Sequence, residues 1–103
     1  MSTSIKIPRA PLKAFCQKHG IIKLAIFGSA VHPEAFQDSS DVDVLVEFRE
    51  DSIPGLMAFI RIQDELADML GGRQVDLVTY HGLHPLIANN VLREAEVQYA
   101  EGA

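Results

Sequence analysis

The sequence predicts an α+β fold, a small mixed β-sheet flanked by helices, with elements in the order α-β-(turn)-β-α-β-α. Three observations carry this. Apolar runs at 21–27, 42–48 and 75–80 have strand length and are bounded by glycine or polar residues. Segments before, between and after them carry apolar residues at helical spacing. The second and third runs are separated by enough chain for a helix, which favours a parallel, right-handed crossover, whereas the shorter link between the first and second suits an antiparallel pair.

Each element has its local reason. Pro8 and Pro11 open a helix to about His19, in which Leu12, Phe15 and Cys16 form an i, i+3, i+4 stripe, and Gly20 stops it. The first strand ends at Gly28-Ser29. Residues 30–40 are polar, with Pro33 and two acids, and read as a loop or a single helical turn. Asp51-Ser52 signals the cap of a long helix running to Leu70 before Gly71-Gly72. Its expected buried stripe is Leu56, Phe59, Ile60, Leu66, Ala67 and Leu70. Ile62 and Met69 fall outside that stripe, as leftover core or a strip for a partner. The last helix is expected over 85–100.

At 103 residues and 48% apolar, residues 1–103 read as one domain that buries one core. Such a chain has no room for separate catalytic and substrate domains, so an acceptor wall must come from another protein or a second copy. The net charge of −5, with nine scattered basic residues, argues against direct nucleic-acid binding through a broad basic surface. Cys16 is the only cysteine, which excludes an intramolecular disulfide, and its place on the apolar stripe of the first helix suits a buried, inert thiol. No segment has signal-peptide or membrane-spanning character, so a cytoplasmic location is the expectation.

The chemistry-bearing pattern is Gly28-Ser29, eleven residues, then Asp41-Val42-Asp43 at the head of Val44-Leu45-Val46. A glycine bend lets backbone N–H groups approach a phosphate, and Ser29 adds a hydroxyl donor. Alternation along a strand points Asp41 and Asp43 to one side, with Cα atoms about 6.5 Å apart. Hard oxygen ligands at that spacing suit Mg²⁺. Asp76 opens a separate strand with Leu77 and Val78. Three carboxylates facing one point strain a metal-free domain, and neutralising one, as in Asp41→Asn, would relieve it. Other polar residues have plainer readings. His81 and His84 suit cap and turn duty, His19 the carbonyls at its helix end, Lys23 and Arg73 ordinary surface charge, and Glu47 a solvated strand-end acid.

The stretch Ile26-Phe27-Gly28-Ser29-Ala30 … Ser40-Asp41-Val42-Asp43-Val44-Leu45-Val46 resembles the signature of the polymerase-β nucleotidyltransferase superfamily. More narrowly, it resembles the minimal nucleotidyltransferases, the antitoxin halves of HEPN/MNT toxin–antitoxin pairs. Arg73-Gln74-Val75-Asp76-Leu77-Val78 is similar to that family's third-acid strand. Gly82-Leu83-His84-Pro85 followed by Val91-Leu92-Arg93-Glu94-Ala95 is similar to its C-terminal helix.

The resemblance implies a polymerase-β-like fold in which Asp41, Asp43 and Asp76 are catalytic and hold Mg²⁺ or Mn²⁺, while Gly28 and Ser29 cradle the β- and γ-phosphates of ATP. It implies transfer of AMP from ATP to a hydroxyl, a tyrosine on a cognate HEPN ribonuclease toxin, with release of pyrophosphate. It also implies assembly with that toxin or with further copies. One departure stands out: His32 occupies the place where an arginine is usual, replacing a permanently charged fork with a mostly neutral ring. Two other readings stay open: a binding module that neutralises a toxin by sequestration, and a transferase for a small-molecule acceptor.

Overall fold

Alternation along the apolar runs sorts one sheet into two unlike faces, and that division places everything else. The computed structural model describes residues 7–28, 41–82 and 85–101. Its elements are α1 (Arg9–His19), β1 (Ile21–Phe27), β2 (Val42–Phe48), α2 (Leu56–Met69), β3 (Val75–Thr79), α3 (Pro85–Glu94) and β4 (Glu96–Ala100). The strand order is β3-β2-β1-β4. β1 is antiparallel to β2 and to β4, and β2 is parallel to β3, as the connection lengths require.

Leu24 and Ile26 of β1, Val42, Val44 and Val46 of β2, and Val75 and Leu77 of β3 turn to one face and are buried. Leu12, Phe15 and Cys16 of α1 and Ile62 and Leu66 of α2 close over them in one cluster. Burial pushes the Cys16 thiol up to about 12, so it stays protonated and inert, as its sequence position suggests. The opposite face carries Ala25, Phe27, Asp43, Leu45, Glu47 and Asp76. Ala25 and Leu45 are nonetheless buried there, in a crevice they share with Tyr80 and with Leu92 of α3.

α1 starts where expected: neither Pro8 at the cap nor Pro11 in the first turn is asked for an N–H, and Leu12 N–H donates to Pro8 C=O at 3.1 Å. Gly20 ends it in the left-handed conformation, φ 70°, with its N–H on Cys16 C=O. A Cβ at Gly20 would overlap the Ser52 side chain, while Gly20 C=O accepts the Arg49 N–H at 2.8 Å. The bend is therefore locked against the segment that follows β2.

Four expectations are corrected. The last helix stops at Glu94 and is followed by β4, which pairs with β1: Tyr99, opposite Leu24, packs against the core, and across a register shift Val97, opposite Ala25, is exposed on the other face. The long helix is capped by Gly55, not by Asp51-Ser52, which form a separate 3₁₀ turn over Glu50–Ser52. Ile62 becomes a core residue and Met69 packs beside it, whereas Leu56 and Ile60 face outward. The stop at Gly71-Gly72 stands, with Gly72 N–H on Ala67 C=O at 2.9 Å. His19 meets a carboxylate rather than the helix-end carbonyls: its Nε2 lies 3.1 Å from Glu65 Oε1 of α2. The loop over 30–40, with Ser29 and His32, and also His84, fall outside the described residues.

Lys18 Nζ also reaches Glu65, at 3.2 Å, so one carboxylate ties the end of α1 to α2. Burial pushes Glu65 up, but hydrogen bonds from His19 and Lys18, together with their charges, outweigh it and hold the carboxyl below its ordinary value. A folded-state pKa below the unfolded one stabilises fully above the ordinary carboxylate range and is lost as pH falls through the depressed value. Glu65→Gln is expected to lower stability by about 0.5–1 kcal/mol at pH 7, the scale of an exposed pair. Urea titrations should show that difference vanish near pH 3, and an equal loss at both pH values would disprove it.

Candidate active site

β2 and β3 set the site through their pairing register. Asp43 pairs with Asp76 as Val42 pairs with Val75 and Val44 with Leu77. Because neighbours in register share a face, the two carboxylates stand side by side on strands about 4.8 Å apart. Asp41 is exposed just before β2, two residues from Asp43 and therefore on the same side. Val42 N–H donates to Gln74 C=O at 2.9 Å, which pins the segment bearing Asp41 to the approach of β3.

Phe27, the last residue of β1, pairs with Asp43 from the other side, and Gly28 follows it with φ 70°. A Cβ on Gly28 would collide with Asp43 Oδ2 and come within 3.2 Å of Cγ. The glycine is thus required twice, for its left-handed backbone and for the space the carboxylate fills. Its expected partner Ser29 lies outside the described residues, so the bend is seen only to its first residue.

The electrostatics follow from this arrangement. Burial, then the charge of Asp76, then that of Asp41, push the Asp43 carboxyl above its ordinary value. The three acids therefore share one field, with Asp43 at its centre. Among the described residues no ion pair neutralises any of them. Nor do any three acid, histidine or cysteine side chains there close on a single point as a ready cage. The acids form an open ledge of hard oxygen donors, a chemistry that suits Mg²⁺ or Mn²⁺.

Other candidates separate from this ledge. Lys23 pairs in register with Glu47, four residues back from Phe27, which puts it about 13 Å along β1 from the acids. Arg73 is half-exposed ahead of β3. A concavity of about 750 Å³ lies between α1 (Arg9, Lys13, Gln17) and β4, and none of the acids lines it. One supporting residue gave no sequence signal. Gln63 of α2 accepts the Leu77 N–H at 3.1 Å, fixing the outer edge of β3 at the residue after Asp76.

A mixed sheet that seats carboxylates beside a glycine bend defines a nucleotidyl-transferring enzyme, and comparison with known proteins agrees. The family model of the nucleotidyltransferase domain matches residues 9–97. The protein adenylyltransferase MntA of Thermococcus cleftensis is 45% identical over 82 residues, 80% of this chain and 79% of that protein. A solved minimal nucleotidyltransferase superposes with a TM-score of 0.69 at 38% identity, covering 85% of this chain and 86% of the other. A chain from the complex of a tri-AMPylated Shewanella oneidensis HEPN toxin with its MNT antitoxin shares the fold. Its TM-score is 0.63 at 17% identity, over 89% of this chain and 69% of that one. The chain belongs to the minimal nucleotidyltransferases of the polymerase-β superfamily.

Two outcomes test the geometry without any assay of transfer. Gly28→Ala should cost about 1–2 kcal/mol from its left-handed backbone alone, and should displace the Asp43 carboxylate. A stability within 0.3 kcal/mol of wild type would refute the reading. A raised carboxyl pKa destabilises the fold at every pH above it. Asp43→Asn should accordingly raise Tm by about 2–4 °C at pH 7 in chelator, the shift that about half a kcal/mol gives in a domain of this size. Millimolar Mg²⁺ or Mn²⁺ should raise the wild-type Tm and leave the variant unmoved. Identical melting curves throughout would mean that the acids do not share a field.

Proposed function

We propose that this nucleotidyltransferase moves AMP from ATP to a tyrosine hydroxyl of a HEPN-family ribonuclease toxin, and so acts as its antitoxin. The observation that carries the reading is the in-register placement of Asp43 against Asp76, with Gly28 backed onto Asp43. The names borne by relatives, protein adenylyltransferase in one case and the MNT partner of an AMPylated toxin in another, supply the substrate class.

In this reading Asp41, Asp43 and Asp76 hold divalent cations, Mg²⁺ or Mn²⁺, which would offset the charge of the triphosphate and stabilise both entering and leaving oxygens. Gly28 and Ser29 bring backbone N–H groups and a hydroxyl to the β- and γ-phosphates. The acceptor hydroxyl attacks the α-phosphorus, a new O–P bond forms, and the bond to the β-phosphate oxygen breaks so that pyrophosphate leaves. Asp76, exposed on β3, takes the hydroxyl proton as the bond forms. A ledge open to solvent, rather than a closed pocket, suits an acceptor carried on a protein surface. One sheet with three helices offers little wall of its own for base or acceptor.

Incubation of the chain with its toxin, Mg²⁺ and α-labelled ATP should label the toxin on tyrosine. Asp41→Ala combined with Asp43→Ala should cut labelling at least 100-fold. If the double variant still neutralises the toxin fully, sequestration is the mechanism and catalysis is not. Absence of label with the wild-type acids intact would reject the adenylyl-transfer reading.

A further inference from the structure

β4 closes one end of the sheet, in the order β3-β2-β1-β4, and pairs only with β1. Its outer edge is therefore open among the described residues, and an open edge is a template for a further strand. The ladder determines which groups that edge offers. Glu101 N–H donates to Ile22 C=O at 2.8 Å. Backbone groups alternate in direction along an antiparallel strand, so the N–H and C=O of Ala100 turn outward. The other half of the edge is closed. A register shift between Leu24 and Ala25 leaves Gln98 between Tyr99 and Val97, and the Gln98 side-chain amide donates to Glu96 C=O at 3.2 Å.

This half-open edge is one wall of the concavity of about 750 Å³, and α1 is the other. Arg9, Lys13 and Gln17 are exposed, and their i, i+4, i+8 spacing sets them in one stripe along the groove. Charge there is one-sided. Glu101, the one acid lining the concavity among the described residues, is committed to Arg49. Arg9 and Lys13 make no ion pair among the described residues. Neighbouring charges leave this unchanged. Lys18 turns to Glu65 of α2, and Lys23, opposite Ala100, lies in the crevice on the other face of the sheet. Glu96, half-buried at the head of β4, pairs with neither cation. In a chain of net charge −5, two unpaired cations thus collect beside an outward-facing backbone donor and acceptor.

We propose that this groove receives an extended segment of a partner protein with acidic side chains at alternate positions. Its main chain pairs with Ala100 and its carboxylates meet Lys13 and Arg9, a strand addition walled by a helix. Spacing selects alternate over consecutive acids. Arg9 and Lys13 stand about 6 Å apart along the helix axis, and side chains on one side of an extended chain repeat every 6.7 Å or so, about the same interval. A nucleic-acid strand, with a phosphate at every residue, needs a longer run of cations than two. It also lacks the peptide groups that would complete the pairing with Ala100. The groove lies at the sheet edge opposite β3 and away from the carboxylate ledge, so its occupancy stands or falls independently of the adenylyl-transfer reading.

Fluorescence anisotropy with a labelled octapeptide of alternating aspartate and threonine tests this. It should bind saturably below about 1 mM. A peptide of the same composition with its aspartates contiguous, and one of alternating lysine and threonine, should each bind at least tenfold more weakly. Arg9→Glu combined with Lys13→Glu should reverse the charge preference, the lysine peptide then binding at least tenfold more tightly than the aspartate peptide. The circular dichroism spectrum should be unchanged, since both side chains are exposed. N-methylation at alternate residues of the aspartate peptide keeps every charge but removes main-chain donors. It should weaken binding at least fivefold in one of its two registers and spare the other, as strand pairing requires. No saturation by about 1 mM, equal affinity for the contiguous peptide, an unreversed preference in the double variant, or indifference to N-methylation in both registers would overturn the proposal. Tighter binding of a single-stranded oligonucleotide than of the aspartate peptide would assign the groove to nucleic acid and overturn it equally.

Discussion

The parallel ladder between β2 and β3 is the constraint on which the rest of this molecule depends. Strand side chains alternate strictly, so one register decision fixes two outcomes together. With Val42 against Val75 and Val44 against Leu77, the aliphatic residues meet α1 and α2, and Asp43 is left beside Asp76 on the other face. A slip of one residue in β3 would carry Asp76 into the apolar core and turn Val75 and Leu77 out of it. Burial of four aliphatic side chains, at about 1.5–3 kcal/mol each, thus enforces an acid pairing that is itself unfavourable.

The size of that unfavourable term explains the surroundings of Asp43. Two unit charges 5 Å apart repel by about 3 kcal/mol at an effective dielectric of 20 and by less than 1 kcal/mol in water. A domain with a net stability of about 5–15 kcal/mol tolerates this only where solvent reaches the charges. Asp41 and Asp76 are exposed accordingly, and Asp43 between them bears the burden as a carboxyl that holds its proton more tightly. Gly28 leaves that carboxylate the room to stay in place. The same openness that limits the repulsion leaves the ledge accessible to a charged nucleotide and to a bulky acceptor.

How much of this could be read from the residues depended on whether the signal was local. Asp41, Asp43 and Asp76 were legible because period-two alternation and strand-head position need no tertiary information, and β1 and β2 were bounded by glycine and polar turns. β4 was not legible. Glu96-Val97-Gln98-Tyr99-Ala100 has no glycine or proline separating it from α3, and only the pairing of Leu24 with Tyr99 and Ala25 with Val97 makes it a strand. The phase of α2 was misread for a related reason. Apolar residues lie on both sides of α2, Leu56, Met57 and Ile60 on one and Phe59, Ile62 and Leu66 on the other, so spacing alone does not say which side the sheet covers, and it is Ile62 rather than Ile60 that is buried. Gln63 left no trace in the sequence, because a glutamine that satisfies a strand-edge N–H looks like any surface glutamine.

That shift of phase has a consequence beyond bookkeeping of elements. A helix with apolar residues on both its inner and outer faces makes sense only if both faces are covered. The inner one, Ile62 and Leu66, is covered by the sheet. The outer one, Leu56, Met57 and Ile60, lies beyond the reach of any element of its own chain among the described residues. The periodicity of α2 was therefore ambiguous because its sequence carries apolar residues on both faces. Along β2, the carboxylates of the ledge stand where the strand begins, and the exposed aliphatic side chains of α2 lie where it ends. The carboxylate ledge and the exposed face of α2 thus lie at opposite ends of β2, so that either can be occupied without obstructing the other.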